Sequence, residues 1–530
     1  MAKQYDADVI VVGSGACGSN VANELALKGK SVILLEAGPN VPRWKIVENF
    51  RNSGRHYDRN NAYPNNPWAP TSNLPGYIQN TGDFREQPGM LKLVGGTTWH
   101  WGGATWRYIP NDFKMKSLYG VGRDWPIGYS DLEPYYVRAE YAIGVAGSDT
   151  EDQSGQHPGM AYPPRSKPYP ITAEAPVYSS TKLKDALIPH GHSVVHEPTV
   201  RIHKPYDGRP GCQGNNNCDQ VCPIGTLYNG SIHADRAVRN GAKLISEAVV
   251  HKITKGADGK IESIAYLTPD GTEHTLTARY FVLAAHSFET AKLMLMNDIG
   301  NSSDMVGRNL MDHIGLSFSF LADEPMWTGR GPVQQATIMT WRDGPFRSQY
   351  SANKHALANN NPQIDIANRA IKEGLMGKEL DERIMDWSSR WLFIYSFLEP
   401  LPDPQNRIIP NPDWKDSIGL PGIKVHFKVD DYTKIGAAHM IDQYKEIARL
   451  MNGQIIDINK EFENHDHLMG TMIMGDNPKD SVVNHECRSY DHENLFIASV
   501  GVIPAAGVIN PTLTAIALAI RSADVIAKEL

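Results

Sequence analysis

Three of the five cysteines of the chain lie close together, at Cys212, Cys218 and Cys222. An odd cluster argues against a disulfide framework and favours a metal or cluster site. Thiolates in a loop rich in glycine and asparagine suit iron–sulfur ligation, because backbone amides are available to donate to sulfur. Three thiolates can hold a [3Fe-4S] cluster without a further ligand, and the Cys222–Pro223 pair is typical of ferredoxin ligands. Zinc, which would need a fourth ligand, and free thiols are the alternatives.

A glycine-rich loop near the N-terminus predicts a second kind of chemistry. The apolar run Asp8–Gly13 has the length of a strand, and Glu36 ends a second such run 18 positions after Gly18. Gly13 permits a tight turn, Gly15 lets the backbone approach a pyrophosphate, and Gly18 lets helix and strand pack closely. The helix N-terminus attracts the diphosphate, and Glu36 would accept hydrogen bonds from a ribose diol. The pattern therefore predicts a Rossmann-like dinucleotide site.

The glycine loop alone does not distinguish FAD from NAD. Arg279–Ala285 is another apolar run of strand length, and a helix-like stretch follows it from His286. Flavoproteins return to their cofactor repeatedly along the chain, so a nucleotide domain split across the sequence favours FAD. We include Val249 and Ala285 among the expected cofactor contacts.

Four further segments, spread over most of the chain, together resemble the glucose–methanol–choline (GMC) oxidoreductase family. They are Gly95–Gly103 (GGTTWHWGG), Val306–His313 (VGRNLMDH), His467–Met474 (HLMGTMIM) and Ile509–Thr514 (INPTLT). Within the family, the phrases YGVGRDWP at 119–126, PYDGRP at 205–210 and CPIG at 222–225 resemble the bacterial dehydrogenases of glucose, fructose and sorbitol. The resemblance implies FAD, oxidation of an alcohol or hemiacetal carbon (EC 1.1.-), and an electron-transfer partner.

The resemblance also implies two catalytic residues. The family places a histidine at one catalytic position and a histidine or asparagine at the other, and these positions fall on His467 and Asn510. An imidazole suits removal of the hydroxyl proton as a hydride leaves for flavin N5. Asn510 cannot take a proton, so it would orient the substrate oxygen while His467 carries the acid–base step alone. A metal site that includes His465 and Asp466 is the alternative.

The Gly95–Gly103 loop would run over the flavin, where only small residues let the backbone come close. We expect cofactor contacts from Gly95, Gly96 and Thr97. His100 stands where some family members attach the flavin covalently, and a histidine packed beneath the ring is the other interpretation. Asp312 and His313, which end another motif, are interpreted first as structural residues.

The same subgroup carries a [3Fe-4S] cluster in the loop equivalent to the cysteine cluster, although Gln213 replaces a cysteine usual there. A one-electron cluster near the flavin would draw off its two electrons singly, which favours a dehydrogenase over an oxidase. The resemblance implies a multihaem cytochrome c or quinone acceptor, and a small subunit that supplies an export signal. We therefore expect a location at the periplasmic face of the bacterial inner membrane, with the cytoplasm as the alternative.

These residues require elements that position them, and 530 residues are too many for one compact core. We predict an α/β chain (α+β overall) with two domains. A discontinuous FAD-binding domain would comprise 1–105, 225–315 and 465–530, with a cluster loop at 205–227. A substrate-binding domain at 316–464 would be built on an antiparallel sheet, with one strand in the apolar segment that begins at Trp391.

Composition limits the remaining possibilities. The charged fraction of 21% is ordinary for a soluble protein, and the net charge of −7 gives no sign of a nucleic-acid partner. We expect no export signal, because a strand begins near Ala7. The run Leu495–Ile520 has no charged residue, but Pro504 and Pro511 interrupt it. We therefore predict a buried loop and a short core helix instead of a membrane span.

Three hypotheses follow. The first is an FAD-dependent sugar or polyol dehydrogenase of the glucose or sorbitol type that contains a [3Fe-4S] cluster. The second is a soluble FAD oxidase that uses dioxygen and holds a structural zinc. The third is a non-catalytic flavin-binding subunit, against which His467 and Asn510 argue.

Overall fold

The computed structural model describes residues 4–54 and 60–530. Residues 1–3, part of the segment in which we expect no export signal, lie outside the described residues. The strands are β1 Ala7–Val12, β2 Val32–Leu35, β3 Ile78–Asn80, β4 Ala146–Gly147, β5 Ile171–Thr172, β6 Val194–His196, β7 Lys243–Ile245, β8 Val249–Lys255, β9 Ile261–Leu267, β10 Glu273–Leu283, β11 Gly315–Leu321, β12 Gln334–Ile338, β13 Asn353–Ala358, β14 Trp391–Leu398, β15 Arg407–Lys415, β16 Pro421–His426, β17 Gln454–Glu463 and β18 Leu495–Ile497. The α-helices are α1 Ala16–Leu27, α2 Arg43–Asn52, α3 Met115–Tyr119, α4 Tyr129–Ile143, α5 Tyr178–Leu187, α6 Ser231–Arg239, α7 Ser287–Met296, α8 Gln363–Lys372, α9 Gly377–Arg390, α10 Asp431–Leu450 and α11 Thr512–Glu529.

A seven-stranded sheet carries the glycine loop. Its order is β7-β2-β1-β10-β9-β8, with β18 also paired to β10. The β7, β2, β1, β10 and β18 strands are parallel, whereas β9 and β8 extend β10 as an antiparallel meander. Val9, Ile10 and Val11 are fully buried, as the central strand of a parallel sheet covered on both faces requires. The α1 helix packs against α6 and α11.

A second sheet of six strands has the order β17-β11-β14-β13-β12-β6, and every neighbouring pair is antiparallel. The α10 helix packs on it through the buried side chains of Met440, Tyr444 and Ile447. The predicted α/β fold, with a Rossmann-like sheet and an antiparallel sheet, is confirmed. The edge strand β6 of the six-stranded sheet comes from residues 194–196, which precede the predicted substrate-binding segment 316–464 in sequence.

A small third sheet, β15-β16-β3, joins distant parts of the chain. The β15 and β16 strands form an antiparallel hairpin, and β3 pairs with β16 in parallel. Residues 78–80 from the predicted FAD-binding segment therefore share a sheet with residues 407–426 from the predicted substrate segment.

The uncharged run Leu495–Ile520 is not one helix. It contains β18, a 3-10 turn at Val500–Val502 and the first part of α11, which continues past the charged residues Arg521 and Asp524 to Glu529. No helix within residues 4–54 and 60–530 is both long and apolar enough to span a membrane.

Candidate active site

The glycine loop joins β1 to α1 with the geometry that its spacing predicts. Gly13 has φ +100°, in the region that favours glycine. A Cβ on Gly18 would lie 1.9 Å from the carbonyl oxygen of Gly13, so only glycine permits this approach of helix to strand. A Cβ on Gly15 would meet nothing within 4 Å. The loop is therefore closely packed at its ends and open at its centre, where a diphosphate needs room.

A cavity opens beside this loop and collects most of the predicted cofactor residues. Those that line it are Gly13, Gly15, Glu36, Gly96, Thr97, Val249 and Ala285. Glu36 lies buried at the end of β2 and accepts hydrogen bonds from the Ser14 amide (3.0 Å), the Ser14 hydroxyl (2.6 Å) and the Gly38 amide (3.0 Å). Burial raises the pKa of Glu36 above its ordinary value. Since an open glycine cradle and an acceptor group share one cavity, its lining fits the dinucleotide part of FAD.

The other three predicted residues lie outside that lining. Gly18 has the packing role described above, and Gly95, with φ +99°, turns the chain into the 3-10 segment Gly96–Trp99. His100 is buried, with its ring centroid 5.5 Å from that of Tyr63. Gly18 thus closes the glycine loop, and Gly95 and His100 flank the 3-10 segment whose Gly96 and Thr97 line the cavity.

The cavity also contains charged residues that sequence reasoning missed. Lys92 and Lys292 both contact the Glu289 carboxylate, at 3.1 and 2.8 Å, and both donate to the Tyr77 hydroxyl. Burial lowers the pKa of Lys92 to about 8, whereas the two lysines hold the pKa of Glu289 well below its ordinary value. The pair Glu289 and Lys292, three positions apart on the helix after Ala285, was the available signal.

Two motifs that are distant in sequence, Val306–His313 and His467–Met474, lie side by side at the predicted catalytic histidine. The Met311 and Met469 backbones exchange hydrogen bonds of 3.0 and 2.8 Å, which joins Val306–His313 to His467–Met474. Asp312 accepts from the His467 amide at 2.7 Å and from the amides of His465 and Asp466 at 3.1 and 3.2 Å. This single carboxylate thus holds the turn from which His467 projects.

Two histidines and an amide form a continuous hydrogen-bonded chain. His313 Nε2 lies 2.9 Å from the carbonyl oxygen of Gly507, and His313 Nδ1 lies 3.0 Å from His467 Nδ1. His467 Nε2 lies 3.0 Å from Asn510 Nδ2. A carbonyl only accepts, so His313 carries its proton on Nε2 and accepts through Nδ1. His467 consequently carries its proton on Nδ1 and presents the lone pair of Nε2 to Asn510.

The surroundings keep these imidazoles neutral. Desolvation lowers the pKa of His467 well below its ordinary value, and the charges of neighbouring groups act in the same direction. Burial also lowers the pKa of His313 to about 3. His467 and Asn510 remain partly exposed, whereas His313 is fully buried behind them. The structure thus brings the two predicted catalytic residues together, with His467 in the form that can accept a proton.

A buried acid beside this site leads to a prediction about stability. Glu86 is fully buried, and neither of its carboxyl oxygens has a hydrogen-bond partner among the described residues. Burial, with the charges of Asp312 and Asp466, raises the pKa of Glu86 well above its ordinary value. The folded protein then holds a proton that the unfolded chain releases above its pKa of about 4.3, so the free energy of unfolding falls as pH rises. Glu86→Gln should therefore raise Tm more at pH 8 than at pH 5 in thermal unfolding.

An exposed acid provides the matched control for Glu86. Glu382 lies on α9 with 62% of its side chain exposed. Glu382→Gln should leave the pH dependence of Tm unchanged. Equal shifts of Tm at pH 5 and pH 8 in Glu86→Gln would show that Glu86 ionises normally in the folded protein.

The cysteine loop is well anchored. All three cysteines are free thiols, and backbone amides donate to two of the sulfurs, from Gly214 to Cys212 (3.4 Å) and from Leu227 to Cys222 (3.5 Å). Amide donors to sulfur are a recurrent feature of iron–sulfur ligands. In the described part of the chain, no three His, Cys, Asp or Glu side chains are grouped so that they could hold a single metal ion.

Two arginines lie beside the cysteine loop. Arg43 donates to the carbonyl oxygen of Cys222 at 2.8 Å. Burial raises the pKa of the Cys218 thiol to about 12, and the charge of the fully buried Arg201 opposes that rise. Cationic neighbours favour thiolates, and also a cluster with net negative charge. The two arginines would partly offset the cost of burying thiolates at these cysteines.

One tyrosine connects the cysteine loop to the flavin loop. The ring of Tyr63 packs against that of His100, and its hydroxyl donates to the carbonyl oxygen of Gln220 at 2.6 Å. Gln220 lies between Cys218 and Cys222 in sequence. The structure thus places the predicted cluster loop next to the predicted flavin loop, which spacing along the chain does not indicate.

Comparisons with known proteins agree with this architecture. Two family models described as GMC oxidoreductase match residues 212–315 and 402–519. The chain is 42% identical to the fructose dehydrogenase large subunit of Gluconobacter japonicus over 99% of this chain and 98% of that protein. It is 23% identical to the gluconate 2-dehydrogenase flavoprotein of Pantoea cypripedii over 98% and 94% of the two chains. A formate oxidase of Aspergillus oryzae shares the fold with a TM-score of 0.67 at 17% identity, over 99% of this chain and 98% of that one.

The resemblance in the four motifs is thereby confirmed over the whole chain. The extent and identity of the match to the large subunit of Gluconobacter japonicus are far above what a shared fold alone requires. The chain belongs to the GMC oxidoreductase family and is an FAD-dependent enzyme that oxidises CH–OH groups.

Proposed function

We propose that the chain is the catalytic subunit of a sugar or polyol dehydrogenase, in which electrons leave through a [3Fe-4S] cluster. The observation that carries this proposal is the pairing of two sites. A proton-accepting imidazole lies at His467, and a loop with three free thiols contacts the flavin loop through Tyr63. A fructose dehydrogenase large subunit at 42% identity supports a carbohydrate substrate.

The residues of the chain supply the proton chemistry. When bound, FAD supplies the acceptor for the hydride that leaves the substrate carbon. His467 Nε2 accepts the hydroxyl proton, and its tautomer is set from behind by His313 and the Gly507 carbonyl. The Asn510 amide donates to the substrate oxygen and so orients the carbon that reacts. Glu36 and the open centre of the glycine loop would hold the ribose and diphosphate of FAD.

Cys212, Cys218 and Cys222 would hold the cluster, and it would supply a one-electron acceptor. An enzyme that passes electrons to dioxygen has no need of such a relay, and we therefore infer a dehydrogenase with a cytochrome c or quinone acceptor. The large-subunit relative supports a multisubunit assembly. We further propose that a small partner subunit carries the export signal and places the complex at the periplasmic face of the inner membrane.

A substrate screen tests the proposed function. Oxidised holoenzyme is mixed anaerobically with D-fructose, D-glucose, D-sorbitol and related polyols, and bleaching of the flavin absorbance is followed. We expect bleaching by at least one of them and slow peroxide formation when air is admitted. Vigorous peroxide production by a zinc-containing protein would instead identify an oxidase. Failure of every carbohydrate to bleach the flavin would overturn the proposal.

A further inference from the structure

A buried lysine, Lys354, contacts Asn510 on the side away from His467. Lys354 lies on β13, is fully buried, and donates from Nζ to Asn510 Oδ1 at 2.6 Å. Its ammonium nitrogen also lies 4.4 Å from the ring centroid of Phe397 and 5.2 Å from that of Trp106. The Phe397 ring in turn stacks on His467, with centroids 5.5 Å apart and an interplanar angle of 24°. Lys354 thus packs against the aromatic wall of the site and bonds to its amide.

Hydrophobic packing does not account for a lysine at this position. Within the described residues, no carboxylate lies within 4.0 Å of Nζ, and the Asn510 oxygen is the acceptor that it contacts. A buried ammonium without a paired acid costs free energy that methionine or leucine would avoid. Burial lowers the pKa of Lys354 to about 7, with Glu197 opposing and Arg342 reinforcing that shift. Both protonation states of the amine still donate an N–H to Asn510.

The orientation of the Asn510 amide depends on its two neighbours. His467 Nε2 accepts, so the amide nitrogen of Asn510 faces it, and the amide oxygen faces Lys354, which donates to it. A substrate hydroxyl that binds between His467 and Asn510 must replace the bond between them. The contact with Lys354 is then the remaining side-chain hydrogen bond of Asn510 within the described structure.

We propose that Lys354 is a positioning residue, which holds the Asn510 amide with its nitrogen toward the substrate oxygen while the alcohol is oxidised. This role rests on the proposed function of His467 and Asn510. Lys354 itself would not contact the substrate, because it is fully buried whereas His467 and Asn510 remain partly exposed.

A double-mutant cycle on the purified holoenzyme tests the role. Flavin reduction by D-fructose, D-glucose or D-sorbitol, whichever bleaches the wild type, is followed anaerobically by stopped flow. We expect Lys354→Met to lower the limiting reduction rate about 10- to 100-fold, with flavin content and half-saturating sugar concentration little changed. Lys354→Met/Asn510→Ala should be no slower than Asn510→Ala alone, because Lys354 acts through Asn510. Lys354→Arg, which keeps a donor, should recover part of the rate.

The residue after Lys354 on β13 provides the matched control. His355 is buried and bonds to Ser396 and Gln443 at 2.6 and 2.9 Å. His355→Gln should reduce its flavin at close to the wild-type rate, which separates damage to β13 from loss of the Lys354 contact. Should Lys354→Met bind no flavin, the comparison of Lys354→Leu, which has no donor, with Lys354→Arg gives the same test.

The outcomes separate this role from the proposed function. A wild-type rate in Lys354→Met, or effects of Lys354→Met and Asn510→Ala that multiply, would overturn the positioning role while the dehydrogenase assignment stands. A wild-type flavin that no carbohydrate bleaches would overturn both.

Discussion

Replacement of His467 by alanine should lower kcat about 10²- to 10⁴-fold, the usual contribution of a positioned general base. His467 presents the lone pair of Nε2 where the substrate hydroxyl must bind, and the loss of that acceptor leaves the proton without a side-chain base. His467 does not line the nucleotide cavity, so the variant should still bind FAD. Steady-state turnover with an artificial acceptor, together with the flavin absorbance of the purified variant, measures both effects.

The same turn offers a matched control. His465 Nε2 lies 3.1 Å from the carbonyl oxygen of Ser396, and its ring packs on Phe397, with centroids 4.2 Å apart. His465→Ala should disturb the packing of the turn without removing the base, so its loss of kcat should be much smaller. Equal losses in the two variants would contradict the assignment of His467 as the base.

Replacement of Cys222 by serine should abolish the proposed [3Fe-4S] cluster and leave the flavin chemistry in place. We expect iron to fall from about three atoms per chain to a trace, and the electron paramagnetic resonance signal of the oxidised cluster to disappear. Anaerobic flavin reduction by sugar should continue, because His467 and Asn510 are untouched. Re-oxidation of the flavin by a cytochrome c acceptor should become the slow step.

A cysteine outside the loop controls for general damage. Cys487 is buried and lies far from the loop in sequence. Cys487→Ser should keep its iron and its signal. Wild-type protein with one zinc and no iron would contradict the cluster, and so would a Cys222→Ser variant that retains its iron.

The nucleotide part of the fold could be predicted from sequence because its constraints are local. Gly13 and Gly18 satisfy a backbone conformation and a close contact that only glycine tolerates, and the apolar run of β1 is what a strand buried on both faces requires. The antiparallel sheet was also predictable, from runs such as Trp391–Leu398. The pairing of β3 with β16 depends on tertiary contacts between segments far apart in the chain, and no local pattern indicates it.

The candidate site shows the same limit. His467 and Asn510 belong to recognisable motifs, and the structure places His467 Nε2 3.0 Å from Asn510 Nδ2. Their catalytic roles stay predictions that the variants above test. Lys354 belongs to no motif, because its importance arises only when β13 brings it behind Asn510. His313 is interpreted from its motif as structural, and the structure adds that its Nδ1 lies 3.0 Å from His467 Nδ1. A sequence pattern identifies the groups that contact substrate more readily than the groups that hold them.

The order of strands in the parallel sheet has a consequence for biosynthesis. The β1 strand is made first, but its neighbour β10 has residues 273–283, and β18, which pairs with β10, lies at 495–497. A nascent chain therefore exposes the unpaired edge of β10 until residues 495–497 have left the ribosome. Such non-local pairing predicts slow folding, and the nucleotide cavity is complete only after residues 498–500, which line it, have been made.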